Sequence, residues 1–151
     1  MILPIHDHQV IVPKAAIAEV IAYEDATKVE PELNWFSGLL NWRGVDLPLI
    51  YLECMNGQHR HVLGDKPTIA ILHCLVPNEK VNFTGVVLTG YPRLVNLKKT
   101  QIKQLSHTKD GPFNFEVEYQ KETYHISDVD KVQKKIIDHL NTLQSSSGKS
   151  S

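Results

Sequence analysis

Hydrophobic and polar positions alternate along most of the chain with the period of two that is typical of β-strands. The clearest run covers residues 113–119, where Phe, Phe, Val and Tyr occupy every second position. Residues 68–76 and 81–88 are apolar and β-branched, which predicts a buried hairpin. The predicted strand segments are 2–5, 10–12, 45–52, 68–76, 81–88, 93–97, 102–105, 113–119 and 123–126. So many short strands predict a mainly β, mostly antiparallel architecture of barrel or sandwich type.

Helical periodicity is confined to two places. Residues 15–21 fit either a short helix or an irregular strand. Near the end of the chain, apolar residues recur at spacings of three and four, and Ser127 precedes them as a candidate N-cap. The apolar positions of this predicted helix are Val129, Val132, Ile136, Leu140 and Leu143. Residues 144–151 contain no apolar side chain, so the sequence predicts one domain over 1–143 and a disordered tail over 144–151. The polar segment 56–66 is expected to separate two subdomains.

Composition narrows the class of protein. Sixteen basic and seventeen acidic residues give a formal charge of −1, which supplies no general attraction for nucleic acid. No apolar run approaches the about 20 residues that a membrane-spanning helix needs. Cys54 and Cys74 stand alone rather than in a Cys-x-x-Cys pair. We therefore expect a cytoplasmic protein with reduced thiols, no nucleic-acid partner and no direct membrane insertion.

Two histidine pairs and one cysteine are the candidates for chemistry. His6 with His8, and His59 with His61, have the spacing that places two ligands on one face of a strand, and a small metal-binding β-barrel protein or enzyme is the alternative they suggest. Both pairs fall in predicted turns, however, where that facing is lost. Cys54 follows an apolar strand, as a buried structural thiol does. We expect no catalytic residue, no metal site and no cofactor.

Residues 38–50 contain a lone cation between an apolar run and an alternating strand. Gly44 follows Arg43, which predicts a turn that presents the guanidinium at the head of the strand. Two interpretations of Arg43 remain open at this point. It pairs with Asp46 or Glu53 and pins the turn, or it acts with Trp42 as an anchor for a partner.

The same segment resembles the signature of the CheW-like domain, in which an apolar Gly-x-x-Asn-x-Arg-Gly passage leads into a hydrophobic strand. The resemblance extends over about residues 1–142. Residues 17–20, Ile-Ala-Glu-Val, resemble the family's Ile-x-Glu-Val segment, and 47–52 resemble its Pro-Val-Ile-x-Leu strand. The chain departs from the family pattern after Gly85, where Leu88-Thr89 stands in place of Val-Asp.

This resemblance implies two interlocked small SH3-like five-stranded β-barrels with a C-terminal helix. It also implies a non-catalytic adaptor that couples chemoreceptors to a CheA-type histidine kinase. The expected partners are the regulatory domain of the kinase and the tip of a methyl-accepting chemoreceptor, at membrane-associated arrays. The stand-alone form is similar to the adaptors of pilus-linked systems that control twitching motility. The partner-binding positions carried over are Gly38, Asn41, Trp42, Arg43 and Gly44.

Overall fold

The described part of the chain folds into β-strands followed by a long α-helix. The computed structural model describes residues 1–6, 8–28, 33–56, 60, 64–74, 82–95, 103–107, 113–127 and 129–148. Within these residues there are ten strands and one α-helix. The strands are β1 Ile2–Ile5, β2 His8–Ile11, β3 Ile17–Ala22, β4 Phe36–Trp42, β5 Val45–Ile50, β6 Thr68–His73, β7 Phe83–Leu88, β8 Lys103–His107, β9 Phe113–Tyr119 and β10 Glu122–Ser127, and helix α1 is Val129–Gly148.

The strands form two five-stranded sheets. The first, here called the terminal sheet, has the order β1-β2-β10-β9-β8 and takes its strands from the two ends of the chain. The second, the central sheet, has the order β3-β6-β7-β5-β4. Most neighbours are antiparallel, but β2 runs parallel to β10, and β5 runs parallel to β7. The predicted mainly β fold with two sheets and a C-terminal helix is confirmed, and the sheets are consistent with SH3-like barrel character although their strand orders are open within the described residues.

The two sheets interlock through β1. The backbone amide of Thr89, just after β7, donates to Pro4 O at 3.0 Å, and the backbones of Ile2 and Arg93 exchange hydrogen bonds of 2.7 and 3.0 Å. Because successive strand residues face opposite sides, Ile2 packs with Val117, Tyr119 and Tyr124, whereas Leu3 faces the central sheet. A short strand thus contributes to two cores.

The larger core lies between the sheets and under the helix. Fully buried Leu3 and Val10 from the terminal sheet join Leu49 and Ile71 from the central sheet, and Ile136 of α1 is 1% exposed within the same cluster. Val132 and Leu140 are partly buried beside it, so these three residues of the predicted apolar face pack on the core, as expected for an amphipathic helix. No helix in the described part of the chain is long and apolar enough to cross a lipid bilayer.

Some predicted boundaries differ from the structure. Of the two alternatives left open for residues 15–21, the strand is the one that forms, as β3, after a 3-10 turn over Lys14–Ala16. The strand predicted over 45–52 ends at Ile50, because Leu52–Asn56 forms a 3-10 helix. Helix α1 continues to Gly148, past the predicted boundary between residues 143 and 144. Residues 149–151 of the predicted tail lie outside the described residues.

Candidate partner-binding site

Arg43 and Gly44 form the two-residue turn of the β4–β5 hairpin. Trp42 and Val45 are the last paired residues on either side, and φ is +50° at Arg43 and +80° at Gly44. Two residues at positive φ are what a type I′ hairpin turn requires, because its twist matches that of the strands. A non-glycine residue in this region is uncommon. The sequence-predicted turn is therefore present, with the arginine at its tip.

The Arg43 guanidinium reaches back over its own hairpin. Its Nη2 lies 3.3 Å from Glu19 Oε2, and its Cζ lies 5.3 Å from the centre of the Trp42 ring. The side chain is nevertheless 70% exposed. Asp46 and Glu53, the partners predicted for a pinned turn, lie elsewhere: Asp46 accepts a hydrogen bond of 3.1 Å from Asn41, and Glu53 is buried in the 3-10 helix.

Glu19 connects Arg43 to the indole beside it. The Trp42 Nε1 donates to Glu19 Oε2 at 2.6 Å, and the same oxygen faces Arg43. The hydrogen bond from Trp42 lowers the pKa of Glu19, partial burial opposes this effect, and the charge of Arg43 lowers the pKa further. The carboxylate therefore stays ionised and holds both side chains in place.

These contacts bring together the two outer strands of the central sheet. Glu19 belongs to β3 and Trp42 to β4, which lie at opposite ends of the strand order. Beyond β3, Thr27 exchanges backbone hydrogen bonds of 2.8 and 3.0 Å with Leu39 of β4. The central sheet is thus curled toward a barrel, and we call the place where its outer strands meet the barrel seam, on which the site lies.

Gly38 is buried at this seam and has a φ of +132°. A Cβ built on it would lie 2.1 Å from the backbone oxygen of Thr27. Only glycine permits so close an approach at that φ. The structure therefore gives Gly38 a role in closing the barrel, and its place in partner binding stays a prediction.

The exposed part of the hairpin forms one continuous feature. We call Asn41, Trp42, Arg43, Gly44 and Val45 the Arg43 surface. Val45 is one of few large apolar side chains that the described residues leave exposed, at 41%. Behind Trp42, the Phe83 ring packs edge-on at 5.0 Å and supports the indole. A cation, an indole and an exposed aliphatic group together suit a partner that presents a carboxylate beside an apolar side chain.

The other sequence candidates lie away from this surface. Cys54 is buried, and burial raises the pKa of its thiol to about 11, which favours the unreactive protonated form. The interpretation of Cys54 as a buried thiol is confirmed. His8 lies within hydrogen-bond distance of His125, from the other end of the chain. Across the described residues no group of three or more potential metal ligands occurs, while His59 and His61 lie outside them.

Sequence reasoning missed two residues that shape the site. Glu19 could have been identified as a candidate from the sequence, since it is a lone carboxylate within the apolar run of β3. Arg60 lay in a segment predicted to be a polar connection. It donates to the backbone oxygens of Leu33, Asn34 and Phe36 at 2.8 to 2.9 Å, and its guanidinium lies 4.7 Å from the Tyr51 ring. It thus fixes the segment that leads into β4.

Two five-stranded sheets with a C-terminal helix define a small, mainly β domain, and its exposed arginine hairpin is a candidate binding surface. The chain belongs to the CheW-like domain family, whose model matches residues 1–135. Members of this family act as scaffolds in chemotaxis signalling. The resemblance carried by residues 38–50 is thereby confirmed.

The fold is also similar to a solved structure. The crystal structure of the scaffolding protein TtCheW from Thermoanaerobacter tengcongensis matches with a TM-score of 0.69 over 84% of this chain and 86% of that chain. At 15% sequence identity this likeness shows the fold alone. The search of curated proteins finds no match.

Proposed function

We propose that this protein is a non-catalytic adaptor that couples chemoreceptors to a CheA-type histidine kinase. Family membership supports the scaffold role. The observation that carries the choice of site is the guanidinium of Arg43, 70% exposed at the tip of a rigid two-residue turn. The kinase partner is its regulatory domain, and the adaptor works in the cytoplasm at receptor arrays.

Little free energy is needed for Arg43 to leave Glu19 and bind a carboxylate of a partner. An exposed ion pair such as Arg43 with Glu19 contributes only about 0 to 1 kcal/mol. Arg43 can therefore leave Glu19 for a carboxylate of the kinase, while the hydrogen bond from Trp42 to Glu19 keeps the indole in position. Val45 then supplies apolar contact beside the new ion pair. Asn41 and Gly44 complete the rim of this surface.

The receptor requires a surface of its own. The segment that follows β7 carries two exposed apolar side chains, Tyr91 at 65% and Leu94 at 61%. This is also the region where the sequence departs from the family pattern. We assign the methyl-accepting receptor tip to this second region, and we place the pathway among the pilus-linked systems that control twitching motility.

Arg43→Glu is expected to weaken binding to the kinase regulatory domain by about tenfold or more, because it replaces an attractive charge with a repulsive one. The measurement is a calorimetric titration of wild type and variant against the regulatory domain of a chemotaxis-type kinase from the same cell. Far-UV circular dichroism checks that the fold is retained.

Lys121→Glu is the matched control. Lys121 is an exposed cation in the two-residue turn of the β9–β10 hairpin, where φ is +50° at Gln120 and +65° at Lys121. The same charge reversal at a similar turn of the other sheet should leave the affinity unchanged. If both variants weakened binding equally, the loss of affinity would come from net charge and not from the position of Arg43. No binding by folded wild-type protein would remove the kinase as a partner.

A further inference from the structure

Two histidines from distant parts of the chain meet where the terminal sheet joins its two ends. His8 begins β2, and His125 lies on β10, whose parallel partner across the ladder is Val10. The His8 Nδ1 lies 3.1 Å from the His125 Nε2, and the ring centres are 4.7 Å apart at an interplanar angle of 88°. The two ring nitrogens therefore face each other directly.

This separation matches that of two imidazoles bound to one metal ion. Metal–nitrogen bonds to histidine are about 2.0 to 2.1 Å long. Two such bonds at a nearly right angle place their nitrogens about 3 Å apart. An ion bound beside the pair would thus take the place of this hydrogen bond once the two rings turn to direct their lone pairs at the ion rather than at each other.

Burial of the imidazoles opposes a positive charge at this place, while one neighbouring carboxylate favours it. Both side chains are half-buried, so that an ion has access from solvent. Glu116 of β9 is paired with His125 across the ladder, and its negative charge acts on that imidazole. The described residues supply no third ligand to make a closed site. Water would fill the remaining positions, which suits tetragonal ions better than structural zinc with its four protein ligands.

We propose that His8 and His125 form a two-histidine site for a divalent transition metal of the Cu²⁺ or Ni²⁺ type. The ion would connect β2 to β10, which share the register pairs His125 with Val10 and Ile126 with Ile11. It would thereby fasten the N-terminal hairpin to the C-terminal strands. This site is separate from the Arg43 surface and does not depend on the adaptor function.

The test is a calorimetric titration of the full chain, free of any histidine tag, with Cu²⁺ in the presence of glycine as a weak competitor. His8→Gln and His125→Gln should each weaken binding by about tenfold or more, because either change leaves one imidazole. Added Cu²⁺ should raise the Tm of the wild type and of neither variant. His73→Gln, a change at an exposed histidine of β6 that packs on Phe83, should match the wild type.

Electron paramagnetic resonance of the wild-type Cu²⁺ complex gives a second readout that needs no variant. Two coordinated imidazole nitrogens are expected in the spectrum. Wild-type affinity in both His8→Gln and His125→Gln would overturn the proposal, since the ion would then be bound elsewhere. A wild-type spectrum without coupling to two imidazole nitrogens would also overturn it, even if a variant failed to fold.

Discussion

Gly38 and Gly44 both have positive φ within one hairpin, but their surroundings differ completely. At Gly38 an added Cβ would overlap the backbone oxygen of Thr27, whereas at Gly44 it would meet nothing within 4 Å. Position 44 therefore requires glycine only because of its positive φ. Gly38 needs it for the angle and for the contact that closes the barrel.

Gly38→Ala is expected to lower the free energy of unfolding by about 3 kcal/mol, because strain at φ is added to the loss of the Thr27–Leu39 pairing. Gly44→Ala should cost about 1 kcal/mol, the usual penalty for a left-handed alanine. Urea unfolding followed by tryptophan fluorescence measures both. Equal losses in the two variants would show that Thr27 is free to move away.

At this scale the sequence predicts what is local. A glycine after a lone arginine, followed by alternating residues, was enough to place the Arg43 turn. Glu19 could not be predicted as the partner of Arg43, because the contact exists only once β3 and β4 meet at the barrel seam. Alternation shows which residues face one side of a strand, but it does not show which strand lies opposite.

Among the elements, helix α1 docks through a mixed face. The Lys135 Nζ donates to Met55 O at 3.3 Å and lies 5.5 Å from the centre of the Trp35 ring. One turn further on, His139 packs edge-on against Trp35 and Phe36 at 5.5 and 4.7 Å. Its Nε2 is shielded from solvent and has no hydrogen-bond partner within the described residues. Burial lowers the pKa of His139.

The docking of α1 should therefore weaken in mild acid. The unfolded chain takes up a proton at the ordinary histidine pKa of about 6.5, whereas the folded chain holds His139 neutral to lower pH. The contribution of His139 to the free energy of unfolding is therefore fully present above about pH 6.5 and is lost as the pH falls below that value.

Urea unfolding of wild type and His139→Phe at about pH 7.5 and about pH 5.5 tests this. The phenylalanine keeps the ring packing and removes the titration, so its free energy of unfolding should fall less between the two pH values. His125, whose pKa is also lowered by burial, is present in both proteins and cancels in the comparison. Parallel losses in both proteins would exclude His139 as the cause.

The elements themselves were largely predictable because each has a clear period. Residues 15–21 were left open between a short helix and an irregular strand for local reasons. Residues 15–21 begin with a 3-10 turn that imitates helical spacing, and β3 then carries a bulge between Ile17 and Glu19 that breaks strict alternation. The pairing of β2 with β10 could not be predicted from the sequence, because a parallel neighbour more than a hundred residues away leaves no local pattern.

For the whole molecule, the main consequence of the shared core is cooperativity. Leu3 and Val10 of the terminal sheet, Leu49 of the central sheet and Ile136 of the helix belong to one buried cluster. The Leu3 and Val10 side chains of the terminal sheet are thus buried in a core that they share with the central sheet and the helix. The two sheets should accordingly unfold together rather than as separate units.

Leu3→Ala is expected to lower the free energy of unfolding by about 2 to 5 kcal/mol through the cavity it leaves. Tryptophan fluorescence, which reports Trp35 and Trp42 near the central sheet, and far-UV circular dichroism should give the same urea midpoint for this variant. Ile2→Ala, which instead empties the smaller cluster around Tyr124, is the matched comparison and should also show coincident midpoints. Midpoints that separate in either variant would mean that the sheets unfold independently.

The terminal sheet combines strands from both ends of the chain, and this affects how the protein folds while it is being synthesised. On the ribosome, β1 to β7 emerge before β8, β9 and β10, so the central sheet has all its strands while the N-terminal hairpin still lacks its neighbour. An isolated hairpin is marginal in water. Leu3 and Val10 let this one dock early on the central sheet, but the Ile2 side stays uncovered until Tyr124 leaves the exit tunnel. The nascent chain is most exposed to aggregation, and most in need of a chaperone, during that interval.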